Sequence, residues 1–422
     1  MKKIWIFNHY GANQFIEHGG RHINFAKNLI QAGYEPTIFV ASSLHNSDIN
    51  LIKDNTLFSR DSSEKVPFVF VKTDSYKGNG FGRIKNMFQY YFRLFKVAKN
   101  FEKPDVIIGS SVHPLSCVAA IQLAKKYKCK CIVEIRDLWP ESIVVYSEIS
   151  KKNPIIWMLY KLEKWIYKSA DELIFTMEGG KDYIAQKGWD KEHGGNVDLN
   201  KVHSINNGVD LAMFNYNKEQ YTFEDADLDD TDTFKVIYTG SIRKVNNISM
   251  IVDTASYMQA NGYSYIKFLV YGDGNEREEL EKHCKEKNLN NIVFKGQVDK
   301  KFIPYILSRS DLNLMHVQQT DIMRYGCSLN KLFEYLASGK PILSDLIVGY
   351  DLLERYNCGV TLKDITAEVI SREILKIYNL PKEELDKMSN NALEASKDYD
   401  FKKLTEKLIC IIENNHSSLK EI

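Results

Sequence analysis

The sequence predicts an α/β chain made of two doubly wound halves. Three observations lead there. Short apolar stretches of strand length alternate with amphipathic helical stretches, the pattern of a parallel sheet covered on both faces. The alternation breaks at the acidic, aperiodic segment Tyr216–Thr233 and then starts again. At 422 residues, the chain also exceeds what one compact core usually holds.

The first half opens with the apolar strand Ile4–Phe7, and Gly19-Gly20-Arg21 then leads into a helix over His22–Gln31 that Gly33 ends. Thr37–Ala41, Val66–Lys72, Asp105–Gly109, Lys130–Ile135 and Glu172–Thr176 continue the strands, with helical sequence between them. In the second half, strand Lys235–Thr239 leads through Gly240 to a helix near Ile248–Ala260. Strand Lys267–Tyr271 leads through Gly272-Asp273-Gly274 to the helix Glu276–Lys287, and Asn291–Phe294 through Gly296 to the helix Lys301–Leu307. Strand Asp311–Met315, a helix near Leu329–Ser338 and strand Pro341–Leu343 complete the series. An amphipathic helix over Tyr399–Asn415 ends the chain and is placed to cross back to the first half. The boundaries read as residues 1–215, an acidic linker 216–233, residues 234–398, and a C-terminal helical segment 399–422. Folds of this kind bind ligands at the carboxyl ends of their strands, which predicts a cleft there.

Composition is that of a globular protein without low-complexity bias. The net charge of +1 conceals an asymmetry: 29 basic against 22 acidic residues through Phe214, and 27 against 33 after it. The modest basic excess, without any nucleic-acid motif, points away from nucleic acid and toward an anionic lipid or substrate. The apolar run at the start is too short for a signal peptide, and no stretch reaches transmembrane length. Seven scattered cysteines without a C-x-x-C pair suit reduced thiols, and the expected location is cytoplasmic.

The most informative segment is Ser328-Leu329-Asn330-Lys331-Leu332-Phe333-Glu334-Tyr335-Leu336-Ala337-Ser338-Gly339-Lys340-Pro341-Ile342. Ser328 reads as the N-cap, and Gly339 and Pro341 as the stop. Lys331 and Glu334, three apart, project from one face near the helix start. The free amides of a helix start suit a phosphate, the lysine adds charge, and the glutamate can accept hydrogen bonds from sugar hydroxyls. The same residues also read as a capped surface helix with one exposed ion pair.

The chain resembles the retaining glycosyltransferases of family 4 through five motifs in order. They are Gly19-Gly20-Arg21, Glu134-Ile135-Arg136-Asp137-Leu138-Trp139-Pro140-Glu141, Asn207-Gly208-Val209-Asp210, Gly272-Asp273-Gly274-Asn275-Glu276-Arg277 and the Lys331–Pro341 segment. The second is similar to a loop of a subgroup that builds bacterial surface polysaccharides. The resemblance implies the GT-B fold, two Rossmann-like doubly wound domains facing a cleft, with the acceptor side in residues 1–215 and the nucleotide-sugar donor in 234–398. It implies that Glu334 binds the ribose and that Ser328, Leu329 and Lys331 lie by the donor diphosphate. It also implies that the backbone at Val298 meets the base, and that Gly19 and Gly20 let the first loop approach the phosphates. Two departures stand out. Gly326 occupies the place of a second glutamate common in the family. Ser241 and Asn246 stand where the family has a basic pair, leaving Arg243 and Lys244 nearby to meet phosphate charge.

For the acceptor side, His113 and Asp137 each follow a strand, as does Glu141, and an imidazole or carboxylate there can orient or deprotonate an attacking hydroxyl. Structural alternatives are a satisfied histidine before Pro114 and an Asp137–Arg136 pair. The resemblance further implies that the leaving phosphate itself can take the hydroxyl's proton. No metal or cofactor is required, and the D-x-D patterns between Asp225 and Asp232 read as a solvated loop. Two stretches, Tyr76–Phe101 and Lys151–Lys168, interleave lysines and arginines with aromatics, a pattern of both interfacial and core-packing helices.

The expected function is metal-independent retaining transfer of a hexosyl or N-acetylhexosaminyl group. The donor is a nucleotide diphosphate-sugar, and the acceptor a surface polysaccharide or its polyprenyl-linked precursor at the inner face of the membrane. A nucleotide-sugar epimerase and an inert nucleotide-sugar binding protein are the alternatives. A dinucleotide-dependent dehydrogenase is disfavoured, because Gly272-Asp273-Gly274 lacks the third glycine of that fingerprint.

Overall fold

A computed structural model describes residues 1–62, 65–78, 80–147 and 149–417. Residues 418–422 of the expected C-terminal segment lie outside the described residues. The chain divides into two units, Met1–Asn206 with Phe401–Ile422, and Asn207–Asp400.

The first unit contains strands β1 (Lys3–Phe7), β2 (Glu35–Ala41), β3 (Phe58–Asp61), β4 (Phe68–Val71), β5 (Val106–Ser110), β6 (Lys130–Ile135), β7 (Glu172–Phe175) and β8 (Val202–Ser204). They form one sheet in the order β3-β4-β2-β1-β5-β6-β7-β8, parallel throughout except for the β3/β4 pair. Central strands such as β1 and β5 are apolar and buried because helices cover both faces. Strand β1 pairs with β2 on one side and β5 on the other, so the order reverses there and opens a ligand-binding crevice beyond the two carboxyl ends. The helix Phe401–Ile412 packs on the helix Arg21–Gln31, and its Leu404, Leu408 and Ile411 join the same core as Ile4, Ile38 and Leu29.

The second unit contains β9 (Phe234–Thr239), β10 (Ile266–Tyr271), β11 (Ile292–Gly296), β12 (Leu312–Met315), β13 (Ile342–Ser344) and β14 (Gly359–Thr361). This sheet is wholly parallel, in the order β11-β10-β9-β12-β13-β14. Its order reverses between β9 and β12, which places a second crevice beyond the ends of those strands.

Two sequence expectations change. Residues 207–215 group with the second unit rather than the first. Asn207 donates its amide to Ser328 Oγ at 2.7 Å, Val209 donates to Tyr399 O at 3.0 Å, and Phe214 is buried in the second core. The acidic segment is also more than a linker. It holds a helical turn, Ala226–Asp229, capped by Asp225, with Leu228 buried. Its carboxylates are matched by lysines, with Lys295 Nζ lying 2.7 Å from Asp225 and 2.5 Å from Asp227.

Candidate active site

On the second unit, the helix Asn330–Ser338 begins just beyond the crevice, with Leu329 as its N-cap and no side chain capping its first turn. Ser328 is therefore not the cap that the sequence suggested. It sits one residue early, and its Oγ and carbonyl both accept hydrogen bonds from Asn207, at 2.7 and 2.6 Å. The helix stops at Gly339, whose φ is 64°. Leu332, Phe333, Tyr335 and Leu336 face the core, and the Tyr335 hydroxyl accepts the Thr239 amide at 3.0 Å, which fixes the helix to the end of β9.

This packing leaves Lys331 and Glu334 on the opposite, partly open face. Lys331 Nζ donates to the Tyr238 hydroxyl at 3.0 Å and lies 4.1 Å from that ring's centroid, but no carboxylate among the described residues pairs with it. Burial outweighs the charges of Cys327, Asp345 and Glu334 and brings its amine down to about 7. Gly240 makes room for it: a Cβ there would stand 2.9 Å from Lys331 Nζ. Glu334 has no side-chain hydrogen bond among the described residues, and burial pushes its carboxyl up against the opposing pull of Lys300 and Lys331. A half-buried cation without a counter-ion, beside uncapped helix amides and an unengaged carboxylate, is chemically prepared for an anion carrying hydroxyl groups.

Arg243 and Lys244 are exposed on the short turn after β9 and form no ion pair among the described residues. Ser241 and Asn246, where the resemblance places a basic pair, bond to each other, Asn246 Nδ2 donating to Ser241 Oγ at 2.7 Å. Val298 follows the end of β11 and packs half-buried on the second core. Gly326 has φ 100° and ψ 165°, a region open essentially to glycine alone. A glutamate cannot occupy that position without a different loop.

One pair in this crevice was missed by sequence reading. His316 and Asp345 directly follow β12 and β13, are buried, and bond to each other through His316 Nδ1. His316 Nε2 donates to the Asn247 carbonyl at 2.7 Å and so ties down the loop that carries Arg243 and Lys244. Their position at adjacent strand ends was the available signal.

On the first unit, the loop at Gly19 and Gly20 opens the helix Arg21–Gln31, with Gly20 as N-cap. Its amides are not free for phosphate here, because Gln14 Oε1 accepts those of His22 and Ile23 at 3.1 and 3.3 Å. Arg21 is also committed. It is buried, pairs with Glu134 at 2.7 Å, and donates to the Ile205 and Asn206 carbonyls. Glu134 further accepts from Ser110 and bonds His22, each at 2.8 Å, and the Arg21 guanidinium above all, with His22 and Arg136, holds its carboxyl well below the usual range despite its burial. Two sequence motifs are thus joined by one buried ion pair.

His113 starts the helix Pro114–Tyr127 and is fully buried, not open to the crevice as the sequence suggested. Its Nε2 bonds His9 Nδ1, while His113 Nδ1 and His9 Nε2 have no partner among the described residues. Burial pushes His113 down to about 3, so it is neutral. Asp137 is exposed in the loop after β6, yet the protein crowded around it raises its carboxyl against the pull of Arg136. Asp137 and Trp139 line a cavity of about 20 Å³, room for one water, together with Ser111, Cys117 and Glu163. Glu141 is no free base: Lys151 and Lys187 pair with it at 2.7 and 2.6 Å and hold it at about 2. A groove of about 700 Å³ lies between the helices Ser249–Ala260 and Ala367–Tyr378, toward the strand starts and away from this chemistry.

Residues 20–213 match the family model "Glycosyltransferase Family 4", and residues 221–395 match "Glycosyl transferases group 1". Together they take in most of the chain, which is a member of these glycosyltransferases with the GT-B fold. TuaH of Bacillus subtilis strain 168, named for teichuronic acid biosynthesis, is 25% identical over 219 residues. That match covers 50% of this chain and 49% of TuaH, about half of each. A sucrose-phosphate synthase from Thermosynechococcus elongatus superposes with a TM-score of 0.70 at 15% identity, over 99% of this chain and all of its own. Anabaena HepE, solved with UDP and glucose, gives a TM-score of 0.64 at 14% identity over the whole of both chains.

Proposed function

We propose that the chain is a retaining glycosyltransferase that moves a sugar from a nucleotide diphosphate-sugar to a hydroxyl of a surface polysaccharide or its polyprenyl-linked precursor. The observation that carries this reading is the start of the helix Asn330–Ser338, with its uncapped amides, the unpaired Lys331 and the unengaged Glu334 at the ends of β9 and β12. Lys331 and the helix amides take up the charge that grows on the diphosphate as its bond to the sugar breaks, and Arg243 and Lys244 add to it from the loop. Glu334 accepts the ribose hydroxyls, Val298 lies by the base, and Ser328 and Leu329 shape the phosphate side. Gly19 and Gly20 reach the phosphates once Gln14 releases the helix start. On the acceptor side, Asp137 orients the attacking hydroxyl and the proton passes to the leaving phosphate, while His113, neutral and buried against His9, takes no direct part. None of these steps calls on a metal.

HepE's UDP and TuaH's name support a UDP-sugar and a surface glycan as the first substrates to try. The test is transfer from radiolabelled UDP-, GDP-, ADP- and CMP-sugars into membrane extract by purified protein, compared with Glu334→Ala. Product from the variant at near-normal rate overturns the donor site, and donor binding without any product favours the inert reading.

A membrane-facing acceptor is supported by the helix Phe81–Val97. It exposes Phe81, Ile84, Phe88 and Phe92 at helical spacing, Phe81 by 80% and Phe92 by 60%, with Lys85, Lys96 and Lys99 beside them. The helix Pro154–Ser169 adds exposed Ile155, Trp157 and Met158. Such a face suits the interface of an anionic bilayer at the inner side of the cell membrane. Arg93 is not part of it, since its guanidinium is bonded to the Lys72 carbonyl. Among the described residues, no helix is long and apolar enough to cross a membrane.

A further inference from the structure

We propose that Glu172, His203 and His416 bind one zinc-class divalent cation that fastens the C-terminal segment to the edge of the first sheet. Glu172 opens β7, and His203 lies on the neighbouring β8, opposite Ile174. Residues two apart on a strand share a face, so Glu172 and His203 project to the same side. The chain brings His416 to that side four residues beyond the helix Phe401–Ile412.

The donor atoms are already gathered. His203 Nε2 is 2.8 Å from Glu172 Oε2, His416 Nε2 is 3.3 Å from Glu172 Oε1, and one ligand atom from each residue lies within 4.8 Å of the others. A tetrahedral zinc with bonds of about 2.1 Å separates its ligand atoms by roughly 3.4 Å, so the shift required is small. The two imidazoles stack with centroids 4.9 Å apart and planes 5° apart. His416 must therefore turn to aim its lone pair inward, and its exposure leaves it room to do so. Lys130 competes for the carboxylate but stands 3.6 Å from Oε1, with its amine also bonded to the Ile411 carbonyl and Asn414 Oδ1, which leaves Oε2 to the ion. Two imidazoles and one carboxylate, with water in the fourth position, select zinc, cobalt or nickel over magnesium or calcium. The site lies at the first residue of β7, whereas His9 and His113 lie beyond the carboxyl ends of β1 and β5, so it stands apart from transfer and from the proposed function.

The experiment is titration of chelator-treated, full-length protein with Zn²⁺ by calorimetry and with Co²⁺ by visible absorption. The variants are His416→Ala, His203→Ala and Glu172→Gln. The expected result is one ion per chain with a tetrahedral cobalt spectrum free of thiolate bands, because the seven free cysteines take no part. Each variant weakens binding at least about tenfold, and zinc slows amide exchange over residues 401–415 in the wild type only. His416 is exposed, so its variant folds and keeps the test decisive. Absence of binding at micromolar metal overturns the proposal, as does stoichiometry and affinity unchanged in both histidine variants.

Discussion

Binding of the donor should weaken steeply as pH rises, because the free protein holds Lys331 near neutrality. Burial lowers this amine to about 7, while a diphosphate beside it favours the charged form and returns it toward its ordinary value. Below that pH the ammonium is already present, and binding is strongest. Above it, each binding event must take up a proton. The charged fraction falls from about 0.9 at about pH 6 to about 0.03 at about pH 8.5, so the donor Kd should rise about 30-fold over that range. A nucleotide diphosphate-sugar is the right probe, because its doubly esterified diphosphate does not titrate there, unlike a free nucleoside diphosphate. Calorimetry in buffers of different ionisation enthalpy reads both the Kd and the proton uptake. Lys331→Met should bind weakly at every pH and lose the slope. A flat profile in the wild type, or the same slope in Lys331→Met, refutes the reasoning.

Glu334→Ala should lower donor affinity about 10- to 100-fold for each charge-assisted ribose bond lost, with thermal stability unchanged, since no side chain among the described residues hydrogen-bonds that carboxylate. Asp345→Asn should raise the donor KM about tenfold with a smaller effect on kcat, because it loosens the loop that His316 holds through Asn247; equal losses in both would assign the pair to the chemical step instead. Arg21→Ala should cost about 3–5 kcal/mol of stability by stranding Glu134, measured by denaturant unfolding. Replacing Phe81, Phe88 and Phe92 with Ser should abolish flotation with anionic vesicles and leave donor binding intact, and unchanged flotation would rule out that face.

The alternation of apolar strands and amphipathic helices was legible because both faces of each sheet are covered, which makes β1, β5, β9 and β10 mostly apolar runs. Three of the four edge strands were not. β3 (Phe-Ser-Arg-Asp), β8 (Val-His-Ser) and β14 (Gly-Val-Thr) are short and bury little, so their pairing comes from a neighbour rather than from their own pattern. The unit boundary was misread because nothing local to residues 207–215 reveals that Ser328 and Tyr399 receive their hydrogen bonds.

By itself the sequence determined the two-sheet architecture, the family and the helix bearing Lys331 and Glu334, since all of these rest on local periodicity, glycine stops and ordered motifs. Only the tertiary structure decided what those side chains are free to do. Arg21 and Glu134, 113 residues apart, neutralise each other inside the first unit, and Glu141 is held by two lysines. Among the described residues Lys331 has an aromatic ring and a hydroxyl but no paired carboxylate, and His316 and Asp345 meet across two strand ends. Charge, proton affinity and reach are set by which groups the packed chain brings within a few ångströms, and sequence spacing carries no record of that.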